Sequence, residues 1–219
     1  HPFTISGAPA VPSLSLHVRS LGTWTSALRQ KSEEASPVPL RAFIDGPYGS
    51  PSAHIFRAKY VVLIGAGIGV TPFASVLESL VLRSHDGRPA PEKVHFFWLN
   101  RDQYSFEWFR ALLARLEAND DKNLLDLHLC MTGAHTGLTS LGLELAREIM
   151  HSKGRSDIIT GLRTQTHSGA PDWEKLLGFI AAQHAPDRVD VFFCGPHGLA
   201  RTLEPLCRRL AMRFHEEQF

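Results

Sequence analysis

Two hydrophobic rhythms divide the chain near residue 55. From His1 to about Pro51 the apolar residues come in short runs, such as Leu14 to Val18 and Leu40 to Ile44, separated by Pro, Gly and Ser. No helical period is sustained there, and the pattern predicts antiparallel β-structure. Gln30 to Pro39 is a polar loop. Ile44 to Pro51, IDGPYGSP, is dense in turn formers and sets a boundary just beyond it. From Tyr60 strand-like and helix-like stretches alternate. Tyr60 to Ile64, Val94 to Leu99, Leu124 to Met131 and Val189 to Phe193 read as strands, with Met212 to Phe219 as a last one. Between them run helical stripes led by Phe73, Phe106, Leu141, Trp173 and Leu199, while Asp157 to Thr166 reads as extended or loop. Such alternation builds a parallel sheet covered by helices. Ligands of these sheets sit at the carboxyl ends of the strands. Gly65, Asn100 to Asp102, Thr132 to Gly133 and Cys194 to Pro196 are therefore expected to converge.

The segment Tyr60 to Leu82, YVVLIGAGIGVTPFASVLESLVL, joins a buried strand to a helix through Gly65, Gly67 and Gly69. Thr71 is the expected N-cap and Pro72 the first helical residue. Glycines let the backbone approach a phosphate, and a helix N-terminus supplies free N–H groups and positive dipole. The match to G-x-G-x-x-G is incomplete, because the third glycine comes one position early. A plain strand-to-helix turn is the alternative.

Bulk properties narrow the field. The 219 residues, 43% hydrophobic and 21% charged, suit one large or two small globular domains. A net charge of +1 argues against a nucleic-acid partner. The twelve histidines form no H-x-E or H-E-x-x-H helix, so scattered surface histidines and no metal site are expected. Cys130, Cys194 and Cys207 have no paired spacing, which indicates neither zinc nor a disulfide framework and suits a reducing compartment. No apolar stretch reaches the roughly 18 residues that span a bilayer, and no signal peptide is seen. The chain opens at His1 inside strand-like sequence, as expected of a piece of something longer.

Three further constellations carry candidate chemistry, each with a plainer alternative. Arg101, between Asn100 and Asp102 after the second strand, stands where a doubly wound fold addresses the adenine ribose. An arginine there suits a 2′-phosphate; otherwise it is a solvated surface residue. Cys194-Gly195-Pro196 ends a strand at the ligand edge. Its thiol either packs against a nicotinamide face or is inert core. Arg19, with Thr25 and Ser26 at the start of a short helix in Thr23 to Leu28, forms either a second phosphate seat or an ordinary cap.

Taken together, HPFTISGAP, LHVRSLGTWT, IDGPYGSP, LIGAGIGVTPFASVL, FFWLNRDQYSFEWF, ITGLRTQT, GAPDW, VFFCGP and RFHEEQF resemble the C-terminal dehydrogenase region of the NADPH oxidase family, most closely its calcium-activated members. The likeness spans His1 to Phe219. It implies a ferredoxin–NADP reductase-like fold: a partial antiparallel FAD-binding β-barrel over residues 1–55, then an NADPH-binding α/β domain over 56–219. It also implies that His1, Pro2, Phe3 and Thr4 contact the flavin, and that His17, Arg19, Trp24 and Thr25 form a second FAD motif with Arg19 on the pyrophosphate. Gly65, Gly67, Gly69, Val70, Thr71 and Pro72 would hold the NADPH pyrophosphate. Cys194, Gly195 and Pro196 would flank the nicotinamide, and Phe219 would cover the flavin ring.

The chain also departs from the family pattern. Gly169-Ala170-Pro171 stands where the family has Gly-Arg-Pro, which removes a second 2′-phosphate ligand and weakens the case for NADPH over NADH. Arg163 or His167 is the expected substitute. The barrel strands that precede the HPFT motif are absent from the sequence, as is a haem-bearing membrane domain. The long inserts that calcium-activated animal members carry near Gln30 and Arg83 are short here.

The resemblance implies a flavin-dependent NADPH dehydrogenase at the cytosolic face of a membrane. It passes hydride to FAD and then single electrons to haem in a transmembrane domain of the same polypeptide, and on to dioxygen to give superoxide. The alternatives are a ferric-chelate or soluble flavin reductase, and a redox-inactive nucleotide-sensing module.

Overall fold

A computed structural model describes residues 3–9, 12–34, 41, 43–46, 50–101, 106–133, 156–157 and 160–217. The strands are β1 (Tyr60–Ala66), β2 (Lys93–Asn100), β3 (Leu125–Met131), β4 (Thr166–Ser168), β5 (Val189–Cys194) and β6 (Arg213–Glu216). The helices are α1 (Thr23–Ser32), α2 (Thr71–His85), α3 (Glu107–Asn119), α4 (Trp173–His184) and α5 (His197–Arg209). Short 3-10 helices cover Pro51–Arg57 and Gly67–Val70.

The six strands form one sheet in the order β4-β3-β2-β1-β5-β6, and every neighbouring pair is parallel. The chain leaves β1 toward β2, β3 and β4, then returns to the other side of β1 for β5 and β6. That reversal opens a crevice at the carboxyl ends of β1 and β5.

Helices on both faces explain the unbroken apolar runs. Val61, Leu63, Phe96, Trp98 and Phe192 pack with Phe73, Leu77 and Leu80 of α2 and with Phe109 and Leu113 of α3. Val62, Ile64, Phe97, Val191 and Phe193 pack with Leu177 and Ile180 of α4 and Leu203 and Cys207 of α5. Residues on each strand alternate between the two cores, so both parities must be apolar.

The amino-terminal segment departs from the expected antiparallel structure. Among the described residues it contains one antiparallel bridge, Ile5 to Leu16, supported by the Ser6 N–H donating to the Ser15 carbonyl at 2.8 Å. Leu14, Leu16, Phe43 and Ile44 are exposed, and no ladder among the described residues covers them. Part of the expected strand Leu40 to Ile44 and the helix expected around Leu141 to Ile149 lie outside the described residues. This segment meets the sheet domain through the Ala8 N–H, which donates to Glu78 Oε2 at 3.3 Å, and through Ser50, whose hydroxyl donates to Glu217 Oε1 at 2.5 Å.

Two histidines correct the expectation of a scattered surface set. His95 is 3% and His184 9% exposed, and their Nε2 atoms lie 3.0 Å apart. Among the described residues no helix is long and apolar enough to cross a membrane.

Candidate active site

A cleft of about 980 Å³ opens at the carboxyl edge of the sheet, over β1, β2 and β5. Its walls include Arg19, Gly67 to Gly69, Asn100, Arg101, Thr132, Ala170, Trp173, Cys194 to His197, Glu216 and Glu217. Residues from both ends of the sequence thus meet there.

The glycine turn is shaped by close approaches. Gly67 has φ +58°, a left-handed conformation that suits glycine. Trp98 Nε1–H donates to its carbonyl at 3.1 Å, and a β-carbon at Gly67 would lie 3.6 Å from Arg19 Nη1. Arg19 and the turn, expected at two separate phosphate seats, are neighbours. At Gly69 a β-carbon would lie 2.3 Å from the Cys194 carbonyl oxygen, a distance no side chain tolerates. The early third glycine therefore admits the end of β5 rather than the helix of the usual fingerprint.

The helix start differs from expectation. The 3-10 turn Gly67–Val70 runs directly into α2, so Val70 is the cap position, Thr71 is the first helical residue, and no side chain caps the helix. Pro72 is second, still within the turn whose N–H groups have no partner inside the helix. In α1, Gly22 rather than Thr25 or Ser26 is the N-cap. The Thr25 hydroxyl serves the helix from its third position, accepting from the Leu21 and Gly22 N–H groups at 3.0 Å.

The end of β2 is held by the end of β3. The Thr132 N–H and hydroxyl both donate to the Asn100 carbonyl, at 2.6 and 3.0 Å. The Gly133 N–H donates to the Arg101 carbonyl at 3.0 Å, and a β-carbon at Gly133 would meet that oxygen at 2.2 Å. This grip leaves Asn100 only 5% exposed at the cleft wall, with its Nδ2 donors unpartnered among the described residues. A buried donor without an acceptor costs about 1–3 kcal/mol, which makes this amide a candidate donor to a ligand in the cleft. Arg101 is exposed and makes no ion pair among the described residues.

Cys194 closes the cleft floor at 2% exposure. Burial, reinforced by the Glu217 and Glu216 carboxylates, pushes its thiol up to about 12. It stays a neutral, polarizable surface at physiological pH and is no nucleophile. Gly195 is required beside it, since a β-carbon there would lie 2.8 Å from that of Ala66. Pro196 is the N-cap of α5. The Glu217 carboxylate is already engaged, accepting from the Ser50 hydroxyl and from the Ser52 N–H at 2.8 Å.

Outside the cleft, Phe3 stacks on Trp24 with ring centroids 5.7 Å apart, and Thr4 is half-buried nearby in sequence. His17 Nδ1 is 2.6 Å from the Ser6 hydroxyl, and burial lowers its pKa. Arg163 does not line the cleft. Its side chain donates to the Glu117 carbonyl, and its N–H donates to Glu117 Oε2 at 2.9 Å. Ala170, by contrast, does line it, so the missing arginine of the family pattern would have stood at the mouth. His1, Pro2 and Phe219 lie outside the described residues. The sequence alone points to Asn100 and Thr132 only by their places at strand ends; the orphaned amide appears once β3 packs.

An extended polyanion fits these features. Arg19 and Arg101 supply positive charge, the lining carboxylates Glu216 and Glu217 are engaged by His197 and by Ser50 and Ser52, the glycine turn supplies close backbone, and Cys194, Ala66 and Leu99 supply an apolar floor. Comparison with known sequences agrees. The profile of the ferric reductase NAD-binding domain matches residues 58–208, and that of an FAD-binding domain matches residues 1–52. The chain belongs to the ferric reductase NAD-binding domain family. It is 36% identical to NADPH oxidase 5 of Homo sapiens, over 100% of this chain and 36% of that protein. It is 39% identical to a superoxide-generating NADPH oxidase heavy chain of Dictyostelium discoideum, over 93% of this chain and 41% of that protein. The chain thus spans about two fifths of the length of these relatives. Among solved structures, ferredoxin-NADP+ reductase from Plasmodium falciparum with 2'P-AMP superposes with a TM-score of 0.53 at 10% identity, covering 98% of this chain and 75% of that one. The fold is ferredoxin–NADP reductase-like.

Proposed function

We propose that the chain is the dehydrogenase portion of a superoxide-generating NADPH oxidase, with residues 1–55 contributing to an FAD barrel and residues 56–219 binding NADPH. The observation that carries this reading is the meeting of Arg19, Gly67, Asn100, Arg101 and Cys194 around one cleft. The likeness to NADPH oxidases along nearly all of this chain supports it.

In this reading the NADPH pyrophosphate lies against Gly67 and Gly69, where the backbone can be approached and Arg19 stands within reach. Asn100 donates from the cleft wall, and Arg101 pairs with the 2′-phosphate. The neutral Cys194 thiol, Gly195 and Pro196 form a flat apolar wall for the nicotinamide and keep water from it. The stacked pair Phe3 and Trp24, with Thr4, His17 and Thr25, belongs to the flavin side, and the family resemblance assigns His1, Pro2 and Phe219 to the flavin as well. FAD, when bound, takes the hydride and releases electrons one at a time. Haem in a transmembrane domain of the same polypeptide, with this module on the cytosolic side, would be the next acceptor, and dioxygen the last.

The test is made on the full-length protein in detergent. NADPH is expected to bleach the oxidised-flavin absorbance anaerobically and, in air, to drive cytochrome c reduction that superoxide dismutase suppresses. NADPH binding with no flavin present would favour a nucleotide sensor. Flavin reduction with ferric chelate, and not dioxygen, as acceptor would favour a ferric reductase.

A further inference from the structure

At the other end of the sheet, about five residues or roughly 16 Å along β2 from Asn100, three ligand-type side chains converge. His95 on β2 is directly opposite Asp126 on β3 in the strand register. His128 lies two residues further along β3, so it shares the face of Asp126. His95 Nδ1 is 3.2 Å from Asp126 Oδ2, and His128 Nε2 is 3.6 Å from the same oxygen. All three ligand atoms lie within 4.8 Å of one another.

We propose that His95 Nδ1, Asp126 Oδ2 and His128 Nε2 form a Zn²⁺-binding site, separate from the dinucleotide cleft. Tetrahedral Zn²⁺ takes N and O ligands at about 2.0–2.1 Å, which sets neighbouring ligand atoms about 3.3–3.4 Å apart. The two observed separations bracket that value. Two imidazoles and one carboxylate suit a borderline divalent ion such as zinc rather than Mg²⁺ or Ca²⁺.

The surroundings support the ligand geometry. With Nδ1 on the metal, His95 carries its proton on Nε2, which faces Nε2 of His184 at 3.0 Å. A zinc-bound histidine usually donates its second N–H to a carboxylate, carbonyl or water; here the Nε2 lone pair of His184 takes that place and fixes both tautomer and ring orientation. His184 is itself held by stacking on Tyr60 at 4.0 Å, and His128 by stacking on Phe97 at 4.3 Å. His95 is buried while Asp126 and His128 are partly open to solvent, which gives the ion an entry path and room for a water as fourth ligand. The site would clasp β2 to β3 beneath the end of α4. It draws on residues from two strands and a helix, so no sequence spacing announces it.

Zn²⁺ titration of the chelator-washed chain by calorimetry, with Co²⁺ substitution followed in the visible spectrum, tests the proposal. One equivalent of Zn²⁺ and an intense four-coordinate Co²⁺ spectrum are expected. Asp126→Asn and His128→Gln each replace a partly exposed ligand and should weaken binding at least about tenfold and abolish the spectrum. His184→Gln should weaken it by about 10–100-fold through His95. Melting curves in chelator establish that each variant is folded. Wild type that takes up no stoichiometric Zn²⁺ would overturn the proposal. So would unchanged affinity in folded Asp126→Asn and His128→Gln, which would put the ion on other histidines.

Discussion

A β-carbon on Gly69 would lie 2.3 Å from the carbonyl oxygen of Cys194. The glycine turn after β1 and the turn after β5 are therefore built as one unit, and their contact forms the floor of the cleft. Because the obstacle is backbone, Gly69→Ala has nowhere to relax without moving one turn off the other. Overpacking of this kind costs about 1–3 kcal/mol. Urea unfolding of Gly69→Ala should report a loss in that range, together with loss of dinucleotide binding. Retained stability and binding would mean that the two turns can separate without cost to the cleft.

Asn100 offers a separation of stability from binding. Its buried Nδ2 has no partner among the described residues. Asn100→Leu removes an unsatisfied donor, so the free protein should be as stable as wild type or slightly more so. NADP⁺ affinity should fall about tenfold, the loss of one hydrogen bond of about 1.4 kcal/mol. Calorimetry and thermal melting on the same pair of proteins check both arms.

The cysteines predict an alkaline limit to stability. Burial pushes Cys130 up to about 11 and Cys194 and Cys207 up to about 12. In the unfolded chain they ionise near about 8.5. The unfolded state alone loses thiol protons between these values. Stability should therefore be insensitive to these groups below about pH 8.5 and decline as pH rises from there toward about 11–12. Alkylation with iodoacetamide at neutral pH should be slow in the folded protein and rapid for all three in denaturant.

Much of the α/β half is legible in the sequence because its strands are buried on both faces and its helices on one. Val61 to Ile64 alternate between two cores and so could only be apolar. The strand β4 is invisible to pattern because three residues carry no period. Thr71 has the residue type of a cap without the place of one, because a 3-10 turn carries the chain into the helix without the extended residue that a side-chain cap requires. The amino-terminal segment is less legible: Leu14, Phe43 and Ile44 have strand-like character, but a ladder depends on partners that the pattern does not name. Asn100 and the His95–Asp126–His128 group depend on which strands become neighbours, and that is a property of the assembled sheet.

Arg101 and Ala170 both line the cleft, and in the proposed function coenzyme choice turns on them. With one arginine in place of two, discrimination between NADPH and NADH should be modest. Arg101→Ala should collapse it, and Ala170→Arg should raise it. A charged hydrogen bond contributes about 1.5–3 kcal/mol, or roughly ten- to a hundredfold in the ratio of kcat/KM. Steady-state rates with both coenzymes measure this directly. Arg163, engaged with Glu117, should have no effect when changed to Ala.

In the proposed function the cleft at the ends of β1 and β5 holds the dinucleotide with its pyrophosphate on the glycine turn. Gly67 tests it most directly, because its left-handed φ strains any branched side chain and a β-carbon there would stand 3.6 Å from the Arg19 guanidinium, in the space a phosphate would occupy. The measurement is calorimetric titration of wild type and Gly67→Val with NADP⁺, with melting curves to confirm folding. Wild type should bind one equivalent, and folded Gly67→Val should bind none that is detectable. Unchanged NADP⁺ affinity in Gly67→Val would contradict the account and move the dinucleotide away from this turn.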